Sequence, residues 1–249
     1  MKVFDEHEPS WVKKYIASDE NELASVIDMD LSKDNKLDFS KVNKAHKMIG
    51  EDYLLEMWTG TPFFDFIAER MGFEKAVMYF ITEDENKLLE YRKRFIEYQK
   101  EFIRKICENT NFESFIIGCS YLCNSLIDPH MWRKWDKPYI KAMADEIHKY
   151  GKLLHVHFHG RSMETVKDFA QIGIDCVCPF ERSPGGDVDR LEGLKKVRNL
   201  LDGKVTMNGN VHTVETLIRG NTKDVKHEVR EIKEAFNGSQ SLLLVQEIR

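Results

Sequence analysis

The sequence predicts an α/β fold built on a parallel sheet, and three observations carry that prediction. Strand-like and helix-like segments alternate from about Tyr53 to the end of the chain. The strand candidates are short and rich in β-branched and aromatic residues, and the connections between them are brief. A barrel and a doubly wound sheet both satisfy this pattern. The 249 residues suit one such domain spanning 1–249, with no repeat and no low-complexity linker.

Residues 1–50 are polar and form a poorly defined N-terminal segment. Within it, Asp28, Asp30, Asp34 and Asn35 imitate a calcium loop but lack the glycine and terminal glutamate of an EF-hand, so a solvated loop over 28–35 is expected. Residues 53–58 read as a short buried strand, ended by Thr59-Gly60-Thr61-Pro62. A helix over 63–70 is broken by Met71-Gly72. A longer one over 83–107 places Leu88, Tyr91, Phe95, Tyr98, Phe102 and Ile106 at three- and four-residue steps, the stripe of a helix packed on a core. Strands then follow at 115–119, 153–159, 176–180, 205–208 and 241–245. The helices between them cover 129–150, 163–172, 188–201, 213–218 and 222–236.

Composition bounds the partners. Lys+Arg 37 against Asp+Glu 42 gives a net charge of -5, which removes the global electrostatic reason to expect nucleic acid or an anionic membrane. No apolar run approaches the about 20 residues of a bilayer span. The N-terminus lacks the apolar core of a secretory signal. Five cysteines, an odd set in a chain that is 42% hydrophobic, read as reduced thiols, so a cytoplasmic protein is expected.

Leu153-Leu154-His155-Val156-His157-Phe158-His159-Gly160 is the most informative segment. Alternation on a strand puts the three histidines on one face, neighbours about 6.6 Å apart. Two neighbours can reach one metal ion; three cannot. His157 and His159 lie at the C-terminal end, where α/β proteins place their sites, and imidazole suits zinc, copper, iron or nickel. His155 sits one step deeper, in a structural or supporting place. A hydrogen-bonded structural network is the competing account of the triplet.

Glu181, just beyond the 176–180 strand, is a candidate metal ligand or general base, with a rim salt bridge as the alternative. Asp187, in the loop Arg182-Ser183-Pro184-Gly185-Gly186-Asp187, offers a second carboxylate. Cys176 and Cys178 share a face; a soft-metal pair is the alternative to their reading as small buried hydrophobes. Cys119 and Cys123 make no zinc-finger pattern. Cys119, Tyr121, Asn210 and His212, at or just past strand ends, are the candidate substrate contacts, Asn210 also being able to stitch its loop.

Asp128-Pro129, Trp135, Pro138-Tyr139, the strand end His157-Phe158-His159-Gly160, Gly173-Ile174-Asp175, Gly209-Asn210 and Gly220-Asn221-Thr222 occur here in one order. Together they resemble the uroporphyrinogen decarboxylase superfamily, which includes zinc-dependent methyltransferases that exchange methyl groups between corrinoids and thiols. The resemblance runs from about Phe112 to Val245, with a weaker trace back to Trp11. It implies a TIM-type (β/α)8 barrel, incomplete at about six recognisable strands, with its site at the C-terminal mouth. The decarboxylases' N-terminal arginine-rich segment has no equivalent here. Where the methyltransferases carry a His-x-Cys zinc pair and a C-terminal cysteine, this chain has His157-Phe158-His159 and ends at Arg249.

The resemblance thus implies a zinc-dependent methyltransferase, with His157, His159 and Glu181 as metal ligands and a corrinoid protein as partner. A decarboxylase acting on a tetrapyrrole, a metal-dependent hydrolase and a non-catalytic partner of a corrinoid protein are the alternatives, and homo-oligomerisation stays open. An incomplete barrel exposes strand edges, so a second chain or residues 1–50 are expected to cover the gap.

Overall fold

Six parallel strands lie side by side in the order in which the chain makes them, which decides between the two sheets that alternation allows. A doubly wound sheet reverses its strand order once; here every crossover steps the same way, as around a TIM barrel. The computed structural model describes residues 2–3, 11–32, 37–50, 53–121, 125–201, 203–239 and 242–243. The barrel-type strands are β3 (Glu56–Trp58), β4 (Ser114–Cys119), β5 (Leu153–Phe158), β6 (Cys176–Cys178), β7 (Thr206–Asn208) and β8 (Leu242–Leu243). Two short antiparallel strands, β1 (Lys2–Val3) and β2 (Trp11–Val12), precede them. Among the described residues, β3 and β8 form the open edges of an incomplete barrel.

Residues 1–50 are more ordered than their polarity predicts. They contain helices α1 (Glu20–Ser32) and α2 (Ser40–Ile49). Asp28 and Asp30 belong to α1 and bind Arg94 and Arg70, each at 2.7 Å, which corrects the expected solvated loop; residues 33–36 lie outside the described residues. Leu23 and Ile27 are fully buried where α1 meets the long helix α5 (Glu85–Asn109). α3 (Phe63–Met71) stops at Gly72, whose φ of +92° disfavours any residue with a Cβ. The chain then forms α4 (Phe73–Thr82), whose nearly continuous apolar run hides the helical period.

The helix expected over 129–150 is two helices, α6 (Pro129–Trp135) and α7 (Lys137–His148). Pro138 has no N–H to continue the first and instead starts the second. Asp128 caps α6, accepting from His130 N at 2.7 Å. Further along come α8 (Val166–Phe169), α9 (Arg190–Leu201), a segment of π geometry over Thr213–Ile218, and α10 (Thr222–Ala235) with an Asn221–Asp224 capping box. Cys123 and most of the expected 241–245 strand lie outside the described residues.

Alternation divides each strand between two environments. Phe115, Ile117, Leu154, Val156, Phe158, Val177 and Met207 point into the helical layer and are buried there. Trp132 and Phe169 close on Phe158 edge-on, at 6.1 and 5.2 Å between ring centres. The opposite, concave face carries Glu56, Trp58, Ser114, Gly118, His155, His157, Cys176 and Cys178, brought level by the register Gly118–His157–Cys178.

Asp136, at the α6–α7 junction, accepts from Phe64 N at 2.9 Å and ties α3 to the helical layer. Burial, and then the nearby Asp65 carboxylate, push its pKa well above the usual carboxylate range. Asp136→Asn, which keeps an acceptor and adds no charge, should therefore cost less than about 1 kcal/mol in urea unfolding. Asp136→Ala strands the Phe64 N–H and should cost about 1–3 kcal/mol. Equal costs would show that the Phe64 contact does not set the role of Asp136.

Candidate functional site

The concave face holds a continuous row of polar side chains running from β3 to the loop after β6. Glu56 lies with both oxygens 3.1 Å from His155 Nδ1 and also accepts from Ser114 Oγ at 2.7 Å. His155 Nε2 lies 2.9 Å from Cys178 Sγ, which is 3.2 Å from His157 Nδ1. His157 Nε2 and His159 Nε2 face each other at 2.7 Å, with the two rings perpendicular and their centres 4.3 Å apart. His159 Nδ1 meets Glu181 Oε1 at 3.1 Å, and Glu181 Oε2 accepts from Gly160 N at 2.6 Å. His155 and His157 are 6% and 2% exposed, so these contacts replace water for both rings.

Neighbouring residues fix the row. The Trp58 indole lies where a Cβ on residue 118 would be, so Gly118 is what allows it to reach the edge of His157, at 6.2 Å between ring centres. Burial raises the Glu56 carboxyl, but the His155 hydrogen bond and charge and the Ser114 hydroxyl outweigh it, leaving a net lowered pKa. The His159 hydrogen bond lowers Glu181; burial opposes this, and Gly160 N–H adds to the lowering. Both ends of the row are therefore carboxylates at neutral pH. Burial holds the Cys176 thiol up at about 12, so that sulfur stays protonated.

Beyond Glu181 opens a cavity of about 470 Å³, lined also by Arg182, Asn210, Val211, His212 and Arg219. Asn210 is buried and its amide donates to Phe180 O at 2.7 Å, so it both stitches the loop and borders the cavity. His212 Nδ1 accepts from Val214 N and Glu215 N, which leaves Nε2–H to donate to Ser183 O at 3.1 Å. Arg182 is buried against Glu228 at 2.6 Å and also donates to Asn210 O, locking the mouth to α10.

The structure brings His157, His159, Glu181, Asn210 and His212 to one mouth and separates the other candidates. Cys119 is fully buried on the helical side of β4, where burial raises its thiol well above the usual range. Tyr121 stacks on Phe73 at 5.7 Å, towards α4. Asp187 accepts from Ser162 N and Met163 N and shapes the β5–α8 connection. Cys178, expected to be a small buried hydrophobe, is instead the centre of the row. Glu56 was missed altogether. Parity along the two strands, Glu56-x-Trp58 and Cys176-x-Cys178, was the available signal, but it needs the register to be read.

A zinc centre takes three or four donors around one point. Here the two Nε2 atoms are at hydrogen-bonding distance from each other, and Glu181 binds the opposite edge of the His159 ring. Among the described residues, no group of three or more His, Cys, Asp or Glu side chains is arranged to hold a metal. The expected set of His157, His159 and Glu181 is corrected accordingly: these residues form a hydrogen-bonded chain and, as described, do not fit zinc.

Gly186 is the hinge of the loop that presents Glu181, and a Cβ there would overlap the Glu181 carbonyl and side chain. Gly186→Ala should cost about 1–3 kcal/mol in urea unfolding and move Glu181 away from His159. Gly185→Ala, whose Cβ would meet only the Glu181 carboxylate at an ordinary 3.6 Å, should stay within about 0.5 kcal/mol of the unchanged protein. Equal effects would refute this account of the loop.

Residues 68–243 match the family model described as Uroporphyrinogen decarboxylase (URO-D), so the match begins at α3, ahead of the segment from Phe112 that carries the sequence resemblance. Among solved structures, a methyltransferase from Methanosarcina mazei is similar, with a TM-score of 0.63 and 18% identity over 81% of this chain and 55% of that one. This chain therefore spans about half the length of that methyltransferase. A psychrophilic glycoside hydrolase family 10 endo-β-1,4-xylanase aligns with 82% of this chain and 68% of its own, at 10% identity and a TM-score of 0.46. No curated protein matches the sequence. No helix among the described residues is long and apolar enough to cross a membrane. The family match covers well over half of the chain, and the fold and the mouth agree with it: the chain belongs to the uroporphyrinogen decarboxylase (URO-D) family.

Proposed function

We propose that this chain is a methyltransferase-like member of the URO-D family that moves a methyl group between a corrinoid and a thiol at the barrel mouth. One observation carries the reading. His159 is held by the Glu181 carboxylate at the C-terminal end of the sheet, and Glu181 in turn lines a cavity of about 470 Å³. An imidazole held by a carboxylate at such a place can favour the thiolate of an acceptor, which is the nucleophile. The acceptor sulfur gives up its proton to solvent and attacks the methyl carbon. A sulfur–carbon bond forms, and the bond to the donor breaks with its electron pair staying on the donor. Asn210 and His212 border the space in which the acceptor lies.

The alternative, decarboxylation of a tetrapyrrole, needs cations for the substrate's several carboxylates. Of the two arginines lining the cavity, Arg182 pairs with Glu228 and Arg219 with Glu215, at 2.6 and 2.7 Å. A corrinoid-carrying protein as the source of the methyl group is part of the same proposal.

The test is absorbance-monitored demethylation of methylcobalamin by the full chain in the presence of a small thiol. Turnover should appear, and His159→Gln should lower kcat/KM by about 10²–10³. No turnover, or turnover indifferent to His159→Gln, would overturn the proposal. Decarboxylation of a tetrapyrrole without methyl transfer would establish the alternative.

A further inference from the structure

The cavity beyond Glu181 has a mixed wall. Pro179, Pro184, Val211 and Val214 make part of it apolar, and a volume of about 470 Å³ suits a small molecule. Two lining residues, Arg182 and Asn210, each carry a buried polar atom with no hydrogen-bond partner among the described residues: Nη2 of Arg182 and Oδ1 of Asn210.

The other polar atoms of both side chains hold them in place. Asn210 is 4% exposed, and its Nδ2 faces two backbone carbonyls, Phe180 O at 2.7 Å and Val188 O at 3.5 Å. Carbonyls only accept, so the atom against them is the nitrogen and the open atom is an acceptor. The Arg182 side chain is 9% exposed; its Nε meets Glu228 at 2.6 Å and Asn210 O at 3.2 Å, and its Nη1 lies 3.4 Å from Glu231. Its Nη2 can only donate. Neighbouring side chains therefore offer one fixed acceptor and one fixed donor, and buried groups of that kind are normally paired.

We infer that this cavity is a subsite for an uncharged group that both accepts and donates hydrogen bonds, such as a primary carboxamide, its oxygen taken by Arg182 Nη2 and its N–H by Asn210 Oδ1. The surrounding charge selects against ions. Glu228 and Glu231 flank the Arg182 guanidinium and Glu181 lines the same cavity, so a ligand carboxylate would join three acidic side chains. It would also bring no hydrogen for Asn210. An ammonium could donate to Asn210 Oδ1, but it has no acceptor for Nη2 and would sit beside the guanidinium. His212 can supply neither part, because Nδ1 accepts from Val214 N and Glu215 N and Nε2 meets Ser183 O. A neutral amide meets both requirements at once. Sites in which buried polar groups await a matching ligand group discriminate strongly against analogues that lack it. On the methyl-transfer reading, on which this part alone rests, the group belongs to the acceptor and lies at the end away from its sulfur.

The experiment is an NMR titration of the full chain with small thiols that differ in their second group: mercaptoacetamide, N,N-dimethylmercaptoacetamide, mercaptoacetate and cysteamine. Dimethylation keeps the acceptor and removes the donor, mercaptoacetate adds a negative charge, and cysteamine replaces the acceptor with a cation. The primary amide should bind at least about tenfold more tightly than each of the others. Val214→Trp fills the cavity from a side chain that is 40% exposed and leaves Arg182 and Asn210 unchanged. It should abolish this binding without altering urea stability. Primary and dimethylated amides binding within about threefold of each other would overturn the inference, and would leave the two atoms to ordered water. Tighter binding of mercaptoacetate, no saturable binding of the primary amide, or binding undiminished in Val214→Trp would overturn it equally. Because binding needs no turnover, failure of the methyl-transfer reading would appear only in the methylcobalamin assay.

Discussion

The hydrogen bond between His157 Nε2 and His159 Nε2, at 2.7 Å, is the contact on which the rest of the site depends. It joins two half-rows that would otherwise end in the barrel interior. On one side Glu56, His155 and Cys178 are anchored to three adjacent strands. On the other, His159 and Glu181 belong to the mouth. A buried imidazole nitrogen without a partner costs about 1–3 kcal/mol, so a concave face carrying His155 and His157 is tolerable only when the chain of partners is continuous. Continuity demands a register that brings Gly118, His157 and Cys178 level. The parallel pairing of β4, β5 and β6 supplies it.

The apolar side of the same strands makes that arrangement rigid. Leu154, Val156 and Phe158 alternate with the histidines and are fully or almost fully buried under α6, α7 and α8. A slip of β5 by one residue would bury the imidazoles among Trp132 and Phe169 and turn three large apolar side chains inward. The mouth is tied separately. Arg182 to Glu228, Asp187 to the backbone at 162–163, and Asp65 to Ser120 N each hold one loop to its neighbour, so the residues around Glu181 are set by ion pairs and backbone hydrogen bonds rather than by packing.

Much of this architecture is legible in the residues. The strand–helix alternation locates each of the six parallel strands among the described residues, and the motifs around His157 and Asn210 point to the right family. What escaped has physical causes. α4 buries Ala76, Tyr79 and Phe80 but exposes the equally apolar Met78 and Ile81, so apolar residues alone do not mark its buried face. α1 is held by Arg70 and Arg94, which lie 40 and 66 residues further along the chain, and no local pattern announces such partners. Of the site, His157, His159, Glu181 and Asn210 could be named because they end strands. Glu56 and Cys178 could not, because their roles arise only when separate strands pair. Cys119 was misplaced for the same reason: parity puts it on the helical face. Glu181 was assigned a ligand's place because sequence order brings it near His159 without saying which ring nitrogen it meets.

If the row from Glu56 to Glu181 acts as one continuous chain of contacts, its two ends must be energetically coupled although four side chains stand between them. A double-mutant cycle on urea stability at pH 8, using Glu56→Gln, Glu181→Gln and the pair, measures that coupling directly. The account predicts that the double variant loses less than the sum of the two single losses, by more than about 0.5 kcal/mol, because a continuous row can be broken only once. Additivity within about 0.3 kcal/mol would contradict it, and would reduce the row to a set of independent pairs.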